Sequence, residues 1–96
     1  MKLTGKCKED FGTLLKNTTE SNAYIISWFD TKGIYISIEV EYDKMLQYNR
    51  GFTAIVYKEG WGFVYADVLR DDVYETRLEA TNAAILKANE LYNELQ

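Results

Sequence analysis

Apolar and polar residues alternate without interruption from Ile34 to Tyr42. Ile34, Ile36, Ile38, Val40 and Tyr42 fall on one side of an extended segment, and Tyr35, Ser37, Glu39 and Glu41 fall on the other, which is the pattern of a half-buried strand. The run before it, Tyr24-Ile25-Ile26-Ser27-Trp28-Phe29-Asp30, is β-branched and aromatic and reads as a second strand. Asp30-Thr31-Lys32-Gly33 between them suits a type I turn closed by a left-handed glycine. Such a turn pairs Asp30 with Ile34, Trp28 with Ile36, Ile26 with Ile38 and Tyr24 with Val40, so the most apolar residues of both runs share a face.

A second hairpin is expected from Phe52–Lys58 and Trp61–Leu69, after a connection at residues 44–51. A bulged turn at Tyr57-Lys58-Glu59-Gly60 pairs Tyr57 with Trp61, Ile55 with Phe63 and Thr53 with Tyr65. One face is then aromatic, and the other holds Phe52, Ala54, Val56, Val64, Ala66 and Val68. A two-residue Glu59-Gly60 loop mixes these classes, because a one-residue slip exchanges the faces. Met45, Leu46 and Tyr48 in the preceding connection are expected to pack over the sheet edge, with a recognition loop as the alternative.

Helices are expected at both ends. Phe11, Leu14 and Leu15 form a short stripe over residues 8–16, weakened by Gly12. Near the C-terminus, Thr76-Arg77-Leu78-Glu79 is a capping box. Ala80, Ala84, Ala88, Leu91 and Leu95 follow on one face, and alanine there lets a helix lie close to the small-residue side of a sheet.

The order α-β-β-β-β-α predicts a single α+β domain over residues 1–96: a four-stranded antiparallel sheet in two layers, with a short N-terminal and a long C-terminal helix. The long helix covers one face. The other is left with an aromatic cluster, whose candidate binding residues are Phe29, Tyr35, Tyr57, Trp61, Phe63 and Tyr65. Exposed, these form a contact surface of the kind protein interfaces favour. Covered by the N-terminal helix, they are ordinary core.

Composition narrows the chemistry. The chain has 96 residues with one cysteine and no histidine, so histidine-dependent catalysis and a Cys/His zinc site are excluded. Neither common phosphate-binding glycine motif occurs. No cofactor is indicated, and the chain is expected not to be an enzyme. The remaining route to catalysis, Glu39, Glu41 and Asp43 at spacing two, has a plainer reading as a solvated strand face. Cys7 lacks a basic partner and reads as an inert thiol. The net charge of −4 lies entirely on residues 67–96, while residues 1–66 balance. Nucleic acid is therefore disfavoured as a partner, since its binders normally carry a basic stripe. No run of about 20 apolar residues is available to span a membrane, and the opening ten residues lack the apolar core of an export signal, so a cytoplasmic, disulfide-free protein is expected.

Two resemblances add to this reading. Met1-Lys2-Leu3-Thr4-Gly5-Lys6-Cys7-Lys8-Glu9-Asp10-Phe11, together with Glu75–Ala80 and Lys87–Asn93, resembles short uncharacterised open reading frames of gut-bacterial phages and prophages. That implies a small accessory protein of a mobile element that grips a host or phage protein. Phe52–Val56, Gly62–Asp67 and Thr76-x-x-Glu79-Ala80 are similar to the strand–strand–helix core of HicB-type antitoxins, which bind a toxin protein; the Pro-Gly turn and the DNA-binding tail of that family are missing here. The expected function is thus a protein-binding module or homodimer. The alternatives are single-stranded nucleic-acid binding by base stacking on the aromatic face and a HicB-like partner binder.

Overall fold

The computed structural model describes residues 3–14, 21–66 and 73–95. In chain order the elements are α1 (Gly5–Leu14), α2 (Asn22–Thr31), β1 (Ile34–Asp43), β2 (Tyr48–Lys58), β3 (Gly62–Ala66) and α3 (Arg77–Glu94). The strands form one antiparallel sheet in the order β1-β2-β3. The expected α+β class and antiparallel sheet hold, but among the described residues the sheet has three strands and not the expected four.

The missing strand is residues 24–30, which are helical. Two local features outweigh its β-branched composition. Ser21 caps the segment, its side chain accepting a hydrogen bond from the Tyr24 N–H at 3.2 Å. Ile25, Trp28 and Phe29 then stand at i, i+3 and i+4, and all three are buried. The Asp30–Gly33 stretch ends that helix instead of turning a hairpin. Gly33 does adopt the expected left-handed conformation, with φ 73°. It does so just past the helix end, donating to the Asp30 carbonyl at 3.2 Å.

The hairpin that does form joins β1 to β2 through residues 44–47. Its register places Ile34 opposite Lys58, Ile36 opposite Val56, Ile38 opposite Ala54 and Val40 opposite Phe52. These residues make up the inner face. At Phe52 the other side of β2 bridges to Tyr74, with hydrogen bonds of 2.9 and 2.8 Å.

The β2–β3 hairpin exists, but its expected register is wrong. Lys58 pairs with Gly62 and Tyr57 with Phe63, so the loop is Glu59-Gly60-Trp61. Gly60 and Gly62 both take φ 84°, a left-handed conformation that other residues rarely adopt, and this sets the loop at three residues. A bulge follows, because Val56 pairs with Tyr65 and leaves Val64 as the extra residue. The strand is described only to Ala66; Asp67, Val68 and Leu69 of the expected strand lie outside the described residues.

Helices α2 and α3 pack on the inner face. Thr76 caps α3 as the capping box implied, accepting from the Glu79 N–H at 3.1 Å. Ala80, Ala84 and Ala88 are fully buried, as are Ala54 and Val56 of β2, so small residues meet across the interface and the layers approach closely. Leu95 at the end of the stripe is exposed.

The first helix starts three residues earlier than expected, and its buried stripe is Leu3, Cys7 and Phe11. Leu15 lies outside the described residues, and nothing is described of the Leu14 side chain. Phe11 meets the Trp28 ring edge-on at 5.6 Å, and Trp28 also contacts Phe29 and Tyr92. The N-terminus of α1 is held by two asparagines of α3 one turn apart. Asn89 Oδ1 accepts from the Thr4 N–H at 3.0 Å while its Nδ2 donates to Thr4 Oγ1 at 2.9 Å. Asn93 Oδ1 accepts from the Cys7 N–H at 2.9 Å and its Nδ2 donates to the Thr4 carbonyl at 3.1 Å. Backbone donors that a helix cannot satisfy internally are thus met by another helix.

Candidate functional site

The six aromatic residues expected on one open face are distributed over three environments. Phe29 sits in α2 at 0% exposure, inside the core cluster. It is structural, and its loss from the site follows directly from residues 24–30 being a helix. Tyr35 and Tyr57 are opposite one another on the outer face of the sheet, and Phe63 occupies the neighbouring register position across from Tyr57. Tyr35 is exposed and Tyr57 half-buried. A hydrogen bond to Glu59 holds the Tyr35 phenol above its ordinary pKa.

Tyr65 faces the other way. The bulge at Val64 brings it onto the side of Val56, where it packs against the core and lies beneath Lys87, whose Nζ is 5.1 Å from the ring centre. Trp61, at the tip of the loop, is 61% exposed, with Lys58 Nζ 5.9 Å from its ring.

Trp61 and Tyr65 come together with side chains no sequence pattern had linked to them. They line a groove with Val56, Val64, Leu91, Lys87, Glu90 and Glu94, enclosing about 330 Å3. Its floor is apolar. Its rim carries one cation and two carboxylates on α3, Lys87, Glu90 and Glu94, with Lys87 and Glu90 paired at 3.4 Å. The groove lies to one side of α3, which with α2 packs mainly over β1 and β2.

The two edge strands differ in character. β1 carries Glu39, Glu41 and Asp43, whereas β3, Gly-Phe-Val-Tyr-Ala, has no charge. Charges are a common means of preventing an edge strand from pairing with another chain, and β3 lacks them. Among the described residues no strand pairs with the free side of β3.

A second exposed apolar feature is the connection between β1 and β2. Met45, Leu46 and Tyr48 do not pack over the sheet edge; Met45 is 92% exposed at the tip of the β1–β2 hairpin, with Val40 and Tyr42 exposed behind it. The tip is ordered by Asp43, whose Oδ1 accepts from the N–H groups of Met45 and Leu46 at 3.0 and 2.9 Å. The sequence signal for this tip is Asp43 itself, whose short carboxylate can order a turn by accepting from the amides two and three residues on.

The carboxylate series on β1 is used locally. Glu39 accepts from Ser37 Oγ at 3.0 Å, Glu41 accepts from Thr53 Oγ1 at 3.1 Å, and Asp43 orders the turn. Among the described residues, no group of His, Cys, Asp or Glu side chains is placed to hold a metal ion. Cys7 is buried, and burial pushes its thiol up to about 12, in keeping with an inert side chain.

Among the described residues no helix is long and apolar enough to cross a membrane. Comparison with protein-family models, with curated proteins and with solved structures finds no match to this chain.

Proposed function

We propose that the chain is a non-enzymatic protein-binding module whose contact surface is the groove between β3 and α3, with Trp61 as its anchor. The observation that carries this reading is the exposure of Trp61 beside an apolar floor of Val56, Val64, Tyr65 and Leu91. Tryptophan is the side chain most often found to dominate binding energy when it enters a partner's pocket. The rim of Lys87, Glu90 and Glu94 supplies polar groups around that centre, as protein interfaces require. The resemblances to phage accessory frames and to the HicB-type core lie in the same direction, toward a protein partner. The mixed rim, with more acid than base, does not suit a phosphate backbone.

The test is capture by the tagged protein from a bacterial lysate that also contains untagged chain, with and without nuclease. The expected result is a stoichiometric protein, foreign or a second copy, that survives nuclease and is lost with Trp61→Lys. The thermal midpoint of the variant should match the parent, because Trp61 lies outside the core. Retention that ignores the substitution overturns the site, and retention lost on nuclease treatment overturns protein in favour of nucleic acid.

A further inference from the structure

Independently of the Trp61 groove, we infer that α1 occupies a helix-binding trough on α2 and α3, and that this trough takes the same segment from a second copy of the chain. The site is seen with its occupant in place. Trp28 and Tyr92 form an aromatic wall, their ring centres 5.1 Å apart, and Phe11 stands edge-on against Trp28. Asn89 and Asn93 close one end by engaging the N–H, the hydroxyl and the carbonyl of Thr4. Further along, the Tyr92 hydroxyl donates to Asp10. This is helix-in-groove recognition, with Leu3, Cys7 and Phe11 as buried anchors one turn apart.

Selectivity is built in at Gly5. Its φ is 63°, and a Cβ there would stand 3.0 Å from both polar atoms of the Asn93 side chain, so the trough admits glycine and disfavours larger residues. The composition of α1 favours release. Ten residues with glycine at positions 5 and 12 make a marginal helix alone, so the order of α1 comes from docking. When it leaves, water replaces the asparagine hydrogen bonds, and Trp28, whose buried Nε1 has no partner while the trough is filled, loses Phe11 as cover. The other elements keep Ile25, Phe29, Ile34, Val56 and Ile85 packed among themselves. Charge suits this occupant: residues 1–14 carry three lysines against two acids, while residues 67–96 hold the chain's negative excess. The first helix of another copy brings all of these contacts with it, which is the basis of reciprocal exchange between protomers.

Two full-length variants, one damaged in the occupant and one in the trough, test this by sedimentation equilibrium. Gly5→Val keeps an intact trough and Asn93→Ala keeps an intact α1; both carry Trp61→Lys, so that the other groove takes no part. Each alone should sediment at 11.2 kDa, and the equimolar mixture should gain a species of twice that mass. Adding Asn93→Ala to the Gly5→Val chain should abolish it. No complex on mixing, a complex that survives the loss of Asn93, or equal self-association of either variant alone overturns the proposal. Release itself is read from Cys7 of the parent chain, whose thiol is buried in the docked helix. Its alkylation should be insensitive to low urea, and Asn93→Ala should accelerate it roughly ten- to a hundredfold. If Gly5→Val fails to fold, this measurement decides alone: a rate that tracks global unfolding at every urea concentration makes α1 part of one cooperative core and overturns the proposal.

Discussion

Both sides of the sheet carry aromatic side chains, and they differ in what covers them. On the inner side Ile34, Ala54 and Val56 are fully buried beneath Ile25, Phe29, Ala84, Ile85 and Ala88. Polar groups there have partners supplied across long sequence separations: Asn89 and Asn93 bracket the start of α1, and the Tyr92 hydroxyl donates to Asp10. On the outer side Tyr35 and Tyr57 have no helix above them among the described residues, and Met45 at the tip of the β1–β2 hairpin is exposed. An aromatic side chain is therefore core or surface here according to whether a helix reaches it, and its own hydrophobicity does not decide which.

Substitutions can sharpen that contrast. The largest effect is expected for Phe29→Ala, which opens a cavity among fully buried side chains and should cost about 3–5 kcal/mol in urea denaturation. The outer-face counterpart, Tyr35→Ala, should shift stability by no more than about 1 kcal/mol. Equal losses would mean that the outer face is also packed.

An intermediate effect is expected for Asn89→Ala. It leaves the Thr4 N–H without its acceptor in a part-buried site, at a cost of about 1–3 kcal/mol. The loss should be local, seen as faster hydrogen exchange at the first amides of α1 while the β2 amides keep their protection. Uniform acceleration across both would show that α1 does not open separately.

The smallest effect is a pH dependence from the same inner side. The Tyr92 hydrogen bond, followed by the Lys6 ammonium at 3.0 Å, holds the Asp10 carboxyl below the usual carboxylate range. A group whose folded pKa is depressed contributes stability above its unfolded value of about 3.9, and that contribution disappears as pH falls through the folded value. Burial, and then the hydrogen bond to Asp10, pushes Tyr92 up to about 12. Its contribution has the opposite sign: full below about pH 10, it is lost as pH rises through the folded value. Tyr92→Phe should flatten both limbs of a stability–pH curve. Unchanged limbs would place the titrating groups elsewhere.

Parts of this arrangement were legible in the residues. The alternation of Ile34–Tyr42 marks β1, and Thr76 with Glu79 marks the start of α3, because both signals are local and self-consistent. Residues 24–30 were not legible as a helix by composition: β-branched and aromatic side chains favour strands, and the i, i+3, i+4 spacing of Ile25, Trp28 and Phe29 competes with period-two patterns over so short a run. Misassigning them moved Phe29 onto the candidate site. Tyr65 was misplaced for a different reason, since one extra residue at Val64 exchanges the faces beyond it. Of the expected site, Tyr35, Tyr57 and Trp61 remain on the surface, while the partners that give Trp61 a groove come from α3, some 30 residues downstream.

By itself, then, the sequence determined what short-range forces decide: the span of β1, the cap and alanine stripe of α3, the left-handed glycine at residue 33, and the lack of histidine that closes much of catalytic chemistry. Only the tertiary structure decided which apolar run became a helix, how many strands the sheet has, which aromatics face water, and that asparagines of α3 complete the first helix. These depend on contacts between residues up to 89 positions apart. Their free energy is realised only when the whole inner face assembles, so no local window of the chain contains it.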